Sequence, residues 1–254
     1  MAPIDLSLPA LSAWLGSYLY PLFRIGAFFL VAPVFGTQLI PARVRMALAV
    51  LVSVLIAPLL PPVPAVDPLS PASMILVAQQ VLMGLGMALA MQVFFQAIVV
   101  GAQLIAMQMA LGFASMVDPA NGVNVTVVAQ YFVLLLTLVF LSTNGHLAMF
   151  EVLLESFRFM PVGGEWAWAE SSWSIATWGS WMLLSGLLLA LPAVTALLVV
   201  NIAFGVMTRA APQLNVFTLG FAVTMLIGLA ILWLVLRGFL PRYELFAAQA
   251  FGML

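Results

Sequence analysis

The chain of 254 residues has no lysine, no cysteine, a single histidine and only 6% charged residues. Without cysteine there is no disulfide framework, no thiolate metal site and no cysteine nucleophile. The one histidine, His146 in Asn144-Gly145-His146, has no second ligand or base nearby in sequence. Seven arginines and a net charge of −1 provide no clustered basic face for nucleic acid. No Walker loop, HExxH pair, dinucleotide fingerprint or triad order is present, so catalysis, a metal and a cofactor have no visible support. Residues 1–11 also lack the basic region of a cleaved signal peptide, and the first apolar segment is expected to be retained.

What is present is apolar. Hydrophobic residues make up 65% of the chain and the mean hydropathy is +1.23, far above soluble domains, which run about 45–50% apolar. This is the composition of an all-α integral membrane protein. Since a bilayer core needs about 20 apolar residues per helix, six hydrophobic blocks emerge, near 11–32, 44–60, 73–106, 125–142, 174–208 and 214–240. They form one domain, with 1–124 and 125–254 as two packed halves.

Several blocks fit a simple span badly. The second is short and closes on Pro58, Pro61, Pro62, Pro64 and Pro68, prolines that favour an extended loop. At 1.5 Å per residue the third would reach about 50 Å, well past the bilayer core. The fifth is also overlong, and Pro192 is expected to kink it. These lengths point to kinked helical hairpins packed into an assembly. If every block crosses, Arg43, Arg45 and Arg209 fall on one side and Arg158, Arg237 and Arg242 on the other. The positive-inside rule then ties; either the blocks do not all cross in the usual way, or the bias is simply weak.

The segment 107–122, Met-Gln-Met-Ala-Leu-Gly-Phe-Ala-Ser-Met-Val-Asp-Pro-Ala-Asn-Gly, fits neither lipid nor a solvated turn. Met107, Met109, Leu111, Phe113, Met116 and Val117 are too apolar for a surface loop. Gly112, Asp118, Pro119, Asn121 and Gly122 break helices and bring polar groups. Irregular backbone at membrane depth survives only where protein buries it or where it lines a water-filled cavity. A pore, a gate or a subunit junction is therefore expected. Leading into it, Gln92, Gln96, Gln103 and Met107 share one helical face, which should meet other helices or water. Gly84, Gly86, Ala88, Ala90, Ala97 and Gly101 permit close helix approach in the same block, and Gly220, Thr224 and Gly228 repeat that spacing in the sixth.

Arg24, three residues after Pro21, either faces a partner or cavity within the first block or snorkels from a displaced block; Asp118 is a conceivable partner. Glu151, Glu155 and Arg158 read as a solvated helix face with a weak ion pair. Trp166, Trp168, Trp173, Trp178 and Trp181 read as an interface belt or a protein-contact surface. In the connection 209–217, Arg209, Gln213, Asn215 and Phe217 form either a self-capped hairpin turn, with Asn215 capping the sixth helix, or an intersubunit junction.

Pro33-Val-Phe-Gly36 followed by Pro41-Ala-Arg-Val-Arg45, then residues 108–122, then residues 201–221 including Gly205-Val-Met-Thr-Arg-Ala-Ala-Pro-Gln-Leu-Asn-Val-Phe217, occur in an order and spacing that resembles the FliR/SctT family of type III secretion export-gate subunits. The flagellar members look closer than the injectisome ones. Two positions depart from the family pattern: Ala110 stands where Gly usually precedes Leu-Gly-Phe, and Ala222 where Pro often follows Gly-Phe. The resemblance implies a channel-forming subunit assembled with FliP and FliQ, together with FlhB and FlhA, at the flagellar basal body in the bacterial inner membrane. Its substrates would be unfolded flagellar proteins. It also implies a plug loop in the gate lumen, here Met107, Met109, Leu111, Gly112, Phe113 and Met116, turning on Asp118, Pro119, Asn121 and Gly122. Subunit contacts would fall on Gln92, Gln96, Gln103, Arg209, Gln213, Asn215 and Phe217. An injectisome subunit is the nearest alternative. A secondary transporter whose Arg24 binds an anion between broken helices is the alternative of another class, disfavoured by the lack of an internal repeat.

Overall fold

The computed structural model describes residues 8–112, 115–117, 124–164, 168–210 and 216–252. Among them the chain is helical almost throughout: α1 (Leu8–Val31), α2 (Ala42–Ile56) with a 3₁₀ turn (Ala57–Leu59), α3 (Pro71–Gln108), α4 (Val127–Ser142), α5 (Gly145–Phe159), α6 (Trp168–Ala210), α7 (Val216–Arg237) and α8 (Phe239–Gly252). Two strands, β1 (Ser115–Val117) and β2 (Asn124–Thr126), interrupt the pattern between α3 and α4.

Boundaries follow local chemistry. Pro58 closes α2 in its 3₁₀ turn, and the proline-rich stretch beyond it has no regular structure. Helix α3 then opens where the Ser70 hydroxyl accepts from the Ser73 amide at 3.3 Å, with Pro71 at the first helical position. Helix α4 opens on Thr126, whose hydroxyl oxygen accepts from the Ala129 amide at 3.2 Å. Asn144 takes the left-handed conformation (φ 59°) between α4 and α5, a conformation its short polar side chain tolerates.

The six expected blocks correspond to α1, α2, α3, α4, α6 and α7. Helices α5 and α8 were not among them. Both are short, 15 and 14 residues, and carry charged residues, Glu151, Glu155 and Arg158 in one and Arg242 and Glu244 in the other, so neither alone makes a span. Five helices, α1, α2, α3, α6 and α7, are long and apolar enough to cross a membrane, and α4 with α5 would make a sixth if taken as one bent span. With 38 and 43 residues, α3 and α6 extend about 57 and 65 Å. Helix α6 runs through Pro192 as one element, and the Thr195 hydroxyl donates to the Leu191 carbonyl at 2.8 Å beside it.

Two compact units interleave along the chain instead of dividing it at one position. The first gathers residues 1–92 and 144–176, the second 93–143 and 177–253, cutting across the expected halves 1–124 and 125–254. The first unit's core holds Ile25, Phe28, Met83, Met87, Leu153 and Phe157, and a triangle of Phe29, Phe35 and Phe150 with ring centroids 5.3–5.9 Å apart.

The second unit packs Phe95 against Phe140, Phe94 against Tyr243 and Phe132 against Phe239. There α3 and α6 touch backbone to backbone. A Cβ on Gly101 would lie 2.8 Å from the Gly186 carbonyl oxygen, and one on Gly186 would lie 2.7 Å from that of Ala97. The small-residue spacing in the third block is used for this approach.

Candidate functional site

Two places hold the chemistry that the sequence singled out. In the first unit, Arg24 is fully buried rather than snorkelling. Its Nε donates to Gln80 Oε1 at 2.8 Å. One terminal nitrogen donates to the Ser156 carbonyl at 3.0 Å and the Ser156 hydroxyl at 3.2 Å. The other donates to the Met160 carbonyl at 2.7 Å and to Met83 Sδ at 3.0 Å. All five guanidinium N–H donors are thereby used, and the plane stacks on the Phe157 ring at 4.1 Å.

None of these partners is an acid; Asp118 lies outside the described residues. The charge is compensated by the end of a helix. Ser156 belongs to the last turn of α5 and Met160 caps it, its amide donating to the Ser156 carbonyl at 2.9 Å; the carbonyls and the helix dipole there make a negative pole. Room for this arrangement comes from Gly84, since a Cβ there would collide with the Arg24 carbonyl oxygen. Glu151, Glu155 and Arg158 all lie exposed on α5. The weak ion pair expected among them does not form, because solvated charges gain little from pairing.

The second place is the stem of the Met-rich segment. Helix α3 ends in a Schellman motif: the Ala110 amide donates to Met107 O at 3.1 Å and the Leu111 amide to Ala106 O at 3.0 Å. The residue that makes the turn, Ala110, adopts φ 59°, a left-handed conformation that glycine takes freely and alanine does not. Around it exposure alternates sharply. Met107 is 65% exposed and Met109 0%; Leu111 is half-buried and Gly112 exposed.

Past the turn, β1 and β2 pair antiparallel, Ser115 with Thr126, Met116 with Val125 and Val117 with Asn124. Buried Val125 and Thr126 tie this ribbon into α4. Phe113 and the turn residues Asp118, Pro119, Asn121 and Gly122 lie outside the described residues. The ribbon went unread in the sequence, although Asn121-Gly122 just before Val123-Asn-Val-Thr126 is a hairpin signal.

Gln92, Gln96 and Gln103 are half-buried on α3, beside the fully buried Ala97, Ile98 and Ala102. Arg209 is exposed in the last turn of α6. Phe217 lies in the first turn of α7, while Gln213 and Asn215 lie outside the described residues. Of the tryptophans, Trp173 is exposed and Trp181 donates to Gln249 Oε1 at 3.2 Å. In α8, burial pushes the Tyr243 phenol above its ordinary value, and it shares a 2.8 Å hydrogen bond with the Thr143 hydroxyl.

Long apolar helices, a buried cation spent entirely on protein acceptors and an irregular apolar connection define a helical integral membrane protein built around structural contacts. The family model described as bacterial export proteins, family 1, matches residues 15–249, and the chain belongs to that family, the one that includes FliR. It is 36% identical over 242 residues to the flagellar biosynthetic protein FliR of Escherichia coli (strain K12), covering 95% of this chain and 92% of that protein. The FliR of Pectobacterium carotovorum subsp. carotovorum is 37% identical with the same coverage. The FliR of Bacillus subtilis (strain 168) is 27% identical over 80% of each chain.

Proposed function

We propose that this protein is a channel-forming subunit of the flagellar protein-export gate in the bacterial inner membrane. It assembles there with FliP and FliQ, contacts FlhB and FlhA, and passes unfolded flagellar proteins. Family membership over residues 15–249 supports the export role, and five helices with the length and hydropathy of spans support its place in the membrane. Exposed apolar side chains on α2, α6 and α7, among them Leu51, Leu184, Val199, Leu226 and Trp233, form the faces that lipid and neighbouring subunits cover.

Within that gate, residues 107–122 act as the plug. The observation that carries this reading is the segment's construction. The chain is fixed on either side of it, by the Schellman turn at Ala110 and by Thr126 capping α4, while Gly112 between them is exposed, as is Met107 in the last turn of α3. Met107, Leu111, Phe113 and Met116 supply adaptable and bulky apolar side chains, with Met109 as the anchor at the stem. Such a constriction stops ions by dewetting. An arriving unfolded substrate pushes the plug aside about Gly112 and Gly122. Gln92, Gln96 and Gln103 on α3, with Arg209, Gln213, Asn215 and Phe217 at the α6–α7 connection, meet partner subunits. Deleting residues 111–116 is expected to raise the ion permeability of cells carrying the assembled gate. Normal permeability with the deletion protein fully incorporated sinks the plug.

A further inference from the structure

At the stem of the Met-rich segment one side chain sits on one glycine. Met109, the residue just before the left-handed turn, is fully buried, and its partner is the backbone of α7. A Cβ built on Gly228 would lie 2.5 Å from Met109 Cγ, 2.9 Å from its methyl carbon and 3.2 Å from its sulfur. No other group comes nearer that position. The methionine therefore occupies the volume where any other residue at 228 would carry its side chain. Gly228 is itself buried, and the small-residue spacing of the sixth block here seats a side chain from the turn after α3 rather than a second backbone.

The next residue supplies the opposing tendency. Ala110 at φ 59° sits in a conformation that costs L-residues free energy and that two hydrogen bonds to the end of α3 maintain. A strained backbone persists only where its surroundings over-determine it. The surroundings here are Met109 in its seat on one side and the Met107 and Ala106 carbonyls on the other.

We propose that Met109 seated on Gly228 is the latch that sets the direction in which Leu111 and Gly112 leave the end of α3, and that Ala110 is the strained element the latch holds in place. Met109 and Gly228 are positioning residues. Unseating the methionine lets Ala110 leave the left-handed region, breaks the Leu111–Ala106 and Ala110–Met107 hydrogen bonds and frees Leu111 and Gly112 from the end of α3. The latch rests on the contact of Met109, just past α3, with Gly228 of α7; only its consequence for permeability rests on the plug reading above.

The test uses the whole purified gate in vesicles of phosphatidylethanolamine and phosphatidylglycerol, with two readouts: amide hydrogen exchange across residues 105–112, and potassium efflux. Gly228→Val and Met109→Ala are each expected to speed exchange at Ala110 and Leu111 by about tenfold, and the double variant, which returns the lost volume from the opposite helix, to come back within about threefold of wild type. Ala110→Gly is expected to slow that exchange about threefold. Because the rescue depends on size exchange at one contact, a general loss of fold in α7 does not reproduce it. Unchanged exchange in Gly228→Val, or a double variant as fast as the faster single one, overturns the latch. Faster exchange with unchanged efflux leaves the latch standing and removes the plug.

Discussion

The Arg24 node and the Met109 stem solve opposite problems with opposite materials. At Arg24 a full charge is buried, every guanidinium donor is matched at 2.7–3.2 Å, and three helices, α1, α3 and α5, are tied through that one side chain. At Met109 nothing is charged, the contact is a flexible thioether on a bare backbone, and the adjoining residue is strained. Removing any part of the first leaves buried polar atoms orphaned. Displacing the second exposes only apolar surface, which in this family's setting finds lipid or other subunits. A polar node of that kind fixes one arrangement, whereas an apolar seat beside a strained turn permits two.

That contrast ranks the expected effects. Arg24→Ala strands Gln80 Oε1 and the Met160 carbonyl and removes the cation from the end of α5, and is expected to destabilise the protein by about 3–5 kcal/mol. The check is thermal unfolding of the purified gate in detergent. Arg24→Lys keeps the charge yet puts its donors on a single nitrogen, which cannot span Gln80, Ser156 and Met160 together, and is expected to recover less than half of that loss. Gly101→Leu drives a side chain into the Gly186 backbone, with an expected cost of about 1–3 kcal/mol in the same measurement. Thr126→Ala removes the cap of α4 at the far end of the ribbon and should cost about 1 kcal/mol. Smallest is Ala110→Gly, expected to stabilise the stem by about 0.5–1 kcal/mol, seen as slower local exchange without a change in global unfolding. A larger response at Thr126 than at Arg24 would erase the distinction between the two regions.

The helical blocks were legible because lipid-compatible hydropathy is a long, redundant signal. Boundaries at Pro58, Pro71 and Thr126 were set by residues whose chemistry is local. Helix α8 was hidden by Pro241, Arg242 and Glu244, which interrupt its apolar run although a proline in the first turn of a helix is tolerated. The partners of Arg24 were illegible for another reason. They lie 56 to 136 residues away and are all neutral, so no opposite charge in the sequence points to them. The seat at Gly228 was visible only as one of many small residues, with nothing to say that Met109 fills it. The family resemblance marked Ala110 as a departure from glycine; its φ of 59° is one that glycine takes freely and that alanine bears here.

The most direct measurement is potassium efflux from vesicles holding the complete gate, with the chain intact and with residues 111–116 deleted, at matched incorporation. A plug at the end of α3 requires tight vesicles with the intact chain and leaking ones with the deletion. Equal efflux from both contradicts it.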